Sequence, residues 1–334
     1  MAIGVGVIGI GSLGGDHARR LAADVRCAEI RAVFDVDAQR ARALGEELGA
    51  EALATARELI RYPGVDAVLI ASPGATHASL SLDCIAAGIP ALCEKPLAPT
   101  TKECLQVVGA EVARHERLVQ VGFMRRYDPG YIALRQALAG DEIGSTLLMH
   151  CVHRNLSVAS THSSDMSLTD TAIHEIDICR WLTGEEIVDV TVTQPRKSAI
   201  AAVGLRDPLL VTLETESGIV MTVEVFVNCQ YGYDVRCEVV GSTGVATLSA
   251  PSSGVSLRPG SRRPPVRDGW KVRFEAAYLE ELQSWIDGLC AGTVAGPSAW
   301  DGYVATAVAQ CCVRSLDTGT TTPVVLDERP ALYG

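Results

Sequence analysis

The sequence predicts an α/β Rossmann domain, a doubly wound parallel sheet, followed by an α+β domain whose sheet is mainly antiparallel. Three observations carry this. Short apolar runs alternate with helical patterns from residue 4 to 122, a Gly-rich G-x-G-x-x-G run follows the first apolar run, and beyond residue 122 the apolar runs become closely spaced. Alternation of strand and helix is the rhythm of a parallel sheet. Strands joined by short links pair antiparallel. The expected domains are residues 1–122 and 123–334, the C-terminal helices packing back on the first domain.

Element by element, Gly4 to Ile10 reads as a buried strand, and a helix runs from the Gly-rich turn to about Ala23. Glu29 to Phe34 is a strand, and Asp37 to Leu48 a helix closed by Gly49. Tyr62-Pro63-Gly64 turns into the strand Asp66 to Ala71, then come the helix Thr76 to Ala87, the strand Ile89 to Cys93, another helix and the strand Leu118 to Gly122. Asp128-Pro129 opens a helix, Asp as N-cap and Pro at the first helical position. Thr146 to Arg154 is a strand, and Leu209 to Ser249 is β-rich with turns at Ser217-Gly218 and Ser242-Thr243-Gly244. Helices close the chain at about Phe274 to Leu289 and Ser298 to Leu316, after a segment, Pro251 to Gly269, expected to be a mobile loop.

The 334 residues carry 40 acidic and 29 basic side chains, a formal net charge of −11, which argues against a surface built for nucleic acid or anionic lipid. No apolar run approaches the roughly 20 residues that span a bilayer, and the N-terminus lacks the basic flank of a signal peptide, so a cytoplasmic protein is expected. Eleven cysteines without a C-x-x-C pair suit reduced structural thiols rather than a disulfide framework, and no Cys/His group has the ligand spacing of a metal site.

Three features carry chemistry. Gly9, Gly11, Ser12, Leu13 and Gly14 form the Gly-rich turn between strand and helix, where backbone N–H groups meet a pyrophosphate. Asp35 ends the second strand, 21 residues beyond Gly14, where a carboxylate meets ribose hydroxyls; Val36 beside it supplies no cation, so NAD is expected over NADP. Lys95, in Glu94-Lys95-Pro96, stands at the carboxyl end of a strand, where ligands of such sheets bind, and can polarise a substrate oxygen or remain a solvated lysine. At about 100° per residue, Asp170, His174 and Asp177 share one helix face, as a carboxylate-oriented base or as an ordinary polar face.

With these motifs in view, the chain resembles the glucose–fructose oxidoreductase/inositol dehydrogenase/MocA family over nearly its whole length. Val121–Tyr131, Ser164–Asp177 and Val227–Gly241 resemble its myo-inositol 2-dehydrogenase branch. The resemblance implies an open-faced sheet that builds a dimer or homotetramer, and a catalytic trio of Lys95, Asp170 and His174. In that scheme His174 takes the proton of the reacting hydroxyl and Lys95 bonds the same oxygen, its peptide to Pro96 being cis. Ser72, Pro73, His77 and Glu94 join the cofactor side, His77 near the nicotinamide or at a helix start. Met124, Arg125, His153, Asn155 and Tyr233 fall at polyol-contacting positions, although Met124 also suits a core, Arg125 an interdomain salt bridge and Tyr233 the solvent side of its strand. The implied activity is NAD-dependent oxidation of myo-inositol or a close cyclitol. Scyllo-inositol, an aminocyclitol of an antibiotic pathway, a sugar, or a non-catalytic sensor are the alternatives. The branch is matched poorly at Asn155–Ser163 and at the Arg-rich stretch Arg258–Arg273, where Arg258, Arg262, Arg263, Arg267, Lys271 and Arg273 are expected to form a cationic patch.

Overall fold

The structure is a computed structural model and describes residues 2–248, 256–258, 261–263 and 269–334. The chain divides into two compact units, one of residues 1–124, 278–306 and 327–334, the other of 125–277 and 307–326.

The first unit is built on a six-stranded parallel sheet of β1 (Ile3–Ile8), β2 (Ala28–Phe34), β3 (Glu51–Ala52), β4 (Ala67–Ile70), β5 (Ala91–Glu94) and β6 (Val119–Gly122), in the order β3-β2-β1-β4-β5-β6. Its helices are α1 (Ser12–Ala23), α2 (Ala38–Leu48), α3 (Ala56–Ile60), α4 (His77–Ala87) and α5 (Thr101–Arg114). Local chemistry sets their starts. The Asp37 carboxylate accepts from the Gln39 and Arg40 amides, and Thr55 with Glu58 forms a reciprocal capping box at α3. β4, β5 and β6 are buried at every residue, as a sheet covered on both faces requires. Val5, Leu21, Val33, Leu69 and Leu92 pack with Leu282, Trp285 and Ile286 in one core. Each leucine fully buried there is worth about 1.5–3 kcal/mol.

The second unit holds α6 (Pro129–Ala139), β7 (Thr146–Arg154), α7 (Ser164–Met166), a π-helical turn Ser167–Ala172, α8 (Ile173–Thr183), β8 (Ile187–Thr193), β9 (Leu209–Thr215), β10 (Val220–Phe226), β11 (Asp234–Gly241) and β12 (Val245–Thr247). β13 (Ser256–Arg258) and β14 (Ser261–Arg263) pair with each other, and α9 is Trp270–Arg273. Of the two long helices that follow, α10 (Glu275–Cys290) belongs mainly to the first unit and α11 (Ala299–Thr318) is divided after residue 306, while the short β15 (Thr322–Pro323) belongs to the second. The seven-stranded sheet has the order β12-β11-β7-β10-β9-β8-β15. Its pairings are antiparallel except β10 with β7, which run parallel because the chain passes through α8 and two further strands between them. On β7 and β10 the side chains at Met149, Cys151, His153, Met221, Val223 and Val225 are buried, and those between them are half-buried or exposed. The sheet therefore has one covered and one open face.

β3, β8, β13, β14 and β15 are not anticipated from the sequence. β3 and β15 are two residues each, too short for a periodicity signal, whereas β8 alternates as Ile-Val-Asp-Val-Thr-Val-Thr and was legible. The expected mobile loop Pro251–Gly269 lies outside the described residues apart from β13, β14 and Gly269, as does Arg267. Nothing of the cationic patch is formed by Arg273. Its guanidinium is buried, donates to Asp128 Oδ2 at 2.6 Å and stacks over Phe274 at 4.4 Å. All eleven cysteines are free thiols. Among the described residues no helix is long and apolar enough to cross a membrane.

Candidate active site

In the first unit the Gly-rich turn joins β1 to α1. Gly9 has φ +83°, and a Cβ there would lie 2.4 Å from the Ser72 amide nitrogen; one at Gly14 would lie 1.9 Å from the Gly9 carbonyl oxygen. Both positions thus exclude every side chain. Gly11 and Ser12 are exposed, a Cβ at Gly11 would meet nothing within 4 Å, and the N-terminus of α1 has no side-chain cap. This helix end thus has no side-chain cap and open space beside Gly11, which suits a pyrophosphate. Asp35 follows β2, its carboxylate buried and accepting from the Ile10 amide at 2.8 Å and the Asp37 amide at 2.9 Å. The turn, the capless helix and the carboxylate together fit a dinucleotide.

Val36 is 95% exposed and offers no charge, but Arg40, one turn into α2, brings Nη1 to 3.4 Å from Asp35 Oδ1. The cation beside the Asp35 carboxylate is contributed by the next turn of chain rather than by the next residue.

Ser72 and Pro73 follow β4, and the Ser72 hydroxyl bonds Thr76 Oγ1 at 2.6 Å. Glu94 ends β5, with Lys95 and a cis peptide to Pro96 after it. His77 is the first residue of α4, at the helix start that the sequence allowed. It is 1% exposed, and its ring nitrogens lie 2.7 Å from the Pro96 and Ser72 carbonyl oxygens. Both ring nitrogens are thus engaged by carbonyl oxygens, and Thr76, not His77, is the N-cap of α4. Burial pulls its pKa down, but Cys93 beside the ring and the two carbonyls outweigh that and raise it to about 9. His17 on α1, which the sequence reading missed, is fully buried and bonds Glu94 Oε1 at 2.9 Å.

In the second unit a polar cluster gathers behind His174. His174 is the second residue of α8 and is buried, its ring 6.3 Å from that of His153 on β7. His153 bonds Glu175 Oε2 through Nδ1 at 2.9 Å and the Tyr233 hydroxyl through Nε2 at 3.2 Å. Arg125 is 1% exposed, pairs with Glu175, and reaches His153 Nδ1 at 3.1 Å. It is therefore no interdomain salt bridge, since its partners belong to its own unit. Tyr233 does not face solvent either; it is buried, and burial lifts its hydroxyl to about 12. Met124, just ahead of Arg125, is buried as well. Asn155 continues from β7, its amide donating to the Phe226 carbonyl while its buried Oδ1 finds no protein partner.

The expected helix face is only partly present. Asp170 sits in the π-helical turn, exposed, one turn ahead of His174, so the constant 100° step does not hold across it. Asp177 is buried and accepts from Arg126 Nε at 3.0 Å. Glu175 is the buried acid that meets His153 and Arg125. The missed signal was a charged residue between Ile173 and Ile176, both buried; a carboxylate there requires a cationic partner.

Residues 3–123 match the oxidoreductase family with an NAD-binding Rossmann fold, Gfo/Idh/MocA, and residues 135–326 match its C-terminal alpha/beta domain. The chain belongs to the Gfo/Idh/MocA oxidoreductases. It is 48% identical to inositol 2-dehydrogenase 1 of Saccharopolyspora erythraea and 48% identical to inositol 2-dehydrogenase of Burkholderia lata, each over 336 aligned positions, covering all of this chain and 100% and 99% of those proteins. A crystal structure of myo-inositol dehydrogenase from Lactobacillus casei, in complex with NAD(H) and myo-inositol, superposes with a TM-score of 0.97 at 37% identity, covering all of both chains. This family member is an NAD-dependent oxidoreductase.

Proposed function

We propose that this oxidoreductase oxidises a secondary hydroxyl of myo-inositol, or of a close cyclitol, to the 2-ketone. The observation that carries the proposal is the joint presence of Lys95, Asp170 and His174 in a chain alike over its full length to proteins described as inositol 2-dehydrogenases. NAD, when bound, supplies the hydride acceptor. The Gly9–Gly14 turn and Asp35 hold its pyrophosphate and ribose, with Ser12, Leu13, Ser72, Pro73 and Glu94 bordering it, and residues 1–122 form the domain that binds it. Residues 123–334 hold the polyol. Lys95 Nζ donates to the reacting oxygen and steadies the charge it gains on losing its proton. His174 takes that proton as a neutral imidazole, and Asp170 orients it. Arg125, His153, Tyr233 and Met124 shape the polyol side, and Asn155 Oδ1 is an acceptor ready for a ring hydroxyl. The enzyme works in the cytoplasm as a homo-oligomer, two or four copies joined through the open sheet face.

Lys95→Ala is the direct test. Turnover is expected to vanish while NAD binding, followed by fluorescence, stays nearly intact. Full activity in that variant would remove the mechanism.

A further inference from the structure

Lys95 lies between two neighbours that are each tethered by a buried histidine. On one side, His17 of α1 donates from Nε2 to Glu94 Oε1 at 2.9 Å, and the other carboxylate oxygen, Oε2, accepts the Lys95 amide at 3.2 Å. Gly122 on β6 leaves the room; a Cβ there would stand 3.0 Å from that same oxygen. On the other side, His77 binds the Pro96 carbonyl at 2.7 Å and, through its second nitrogen, the Ser72 carbonyl at 2.7 Å. A carbonyl oxygen only accepts, whereas a neutral imidazole has a single N–H. Two such short contacts are both favourable only when both nitrogens carry protons. The titratable side chain packed against the ring is Cys93 of β5.

We propose that His17 and His77 are positioning residues for Lys95, His77 acting as a buried imidazolium that ties the Lys95–Pro96 turn to the end of β4. The inference rests on the reading of Lys95 as the residue that bonds the reacting oxygen. The raised pKa of His77, about 9, agrees with the geometry. Neither ring touches the reacting atoms in this account. Their effect is on where the Lys95 ammonium is held, and a displacement of about 1 Å at such a group costs about a hundredfold in rate.

The chain contains four lysines, Lys95, Lys102, Lys197 and Lys271, so reductive methylation with carbon-13 gives few side-chain NMR signals, and Lys95→Arg assigns the one of interest. The full-length protein is labelled with and without NAD, as wild type, His77→Gln, His17→Leu and His17→Gln. The first two substitutions are expected to shift or broaden the Lys95 signal and to lower kcat by about tenfold to a hundredfold, with Kd for NAD within about twofold. His17→Gln, whose amide can still donate to Glu94, is expected to keep the wild-type signal and most of the rate. An unmoved Lys95 signal in His77→Gln and His17→Leu, whatever their rates, overturns the inference. Should those variants fail to fold, nitrogen-15 histidine spectra of the wild type decide: both His77 nitrogens protonated at about pH 8 support it, and a neutral ring overturns it. Full activity of Lys95→Ala would instead sink the reading of Lys95 itself.

Discussion

The Asp35 carboxylate answers two backbone amides and, at 3.4 Å, the Arg40 guanidinium. On the proposed reading its removal deletes a ribose partner and leaves Arg40, still 3.3 Å from Asp37 Oδ2, with one carboxylate fewer to hold it from a 2′-phosphate. Asp35→Ser is expected to cut the NAD-over-NADP ratio of kcat/KM by about tenfold or more, and adding Arg40→Ala should undo part of the gain with NADP. An unchanged ratio would show that Asp35 does not meet the ribose. His77 makes a second prediction at the same scale. Its folded value near 9 lies above the ordinary 6.5, so the stabilisation it brings is whole below about pH 6.5 and is lost as pH rises towards about 9. The amount at stake is about 3 kcal/mol. Melting curves should therefore show the wild type losing Tm across that window more steeply than His77→Gln; parallel curves would mean the ring is not charged in the fold.

At the scale of elements, α8 and β7 are joined through one buried acid. Glu175 meets Arg125 and His153, all three nearly solvent-free. Glu175→Gln leaves a buried guanidinium without its counter-charge, a loss of about 3–5 kcal/mol. Adding Arg125→Met should recover part of that loss in urea unfolding. A Glu175→Gln midpoint equal to the wild type would show the pair is not a structural tie. The same helix shows where sequence reasoning stops. The interval from Asp170 to His174 was legible, because those residue types at that spacing carry their own chemistry. The π-helical turn was not, since nothing in Ser-Leu-Thr-Asp-Thr-Ala separates a wide turn from an ordinary one. The glycine turn, Asp37 as an N-cap and Asp128-Pro129 were local signals and could be read directly. His17 and Glu175 act through residues far away in the chain, Glu94 and Arg125, and only the fold brings those together.

Across the whole molecule, the alternation that marks β7, β9 and β10 as half-buried strands also leaves an uncovered face, with Leu210, Thr212, Val220 and Thr222 on adjacent strands and His150 bonded to Thr222 at 2.9 Å. If this face joins copies of the chain, Thr222→Arg should reduce the mass measured by light scattering to that of one protomer, and an unchanged mass would locate the contact elsewhere. The parallel character of the first sheet followed from alternating strands and helices. The parallel pairing of β7 with β10 did not, because it depends on strands 66 positions apart finding each other. The central claim is met most directly by following reduction of NAD by the purified protein against myo-inositol, scyllo-inositol, aminocyclitols and common hexoses, with NADP in parallel. The account predicts the highest kcat/KM for myo-inositol with NAD. Turnover confined to a sugar or an aminocyclitol would contradict the substrate, and silence across the panel would contradict the enzyme and favour a dinucleotide-binding sensor.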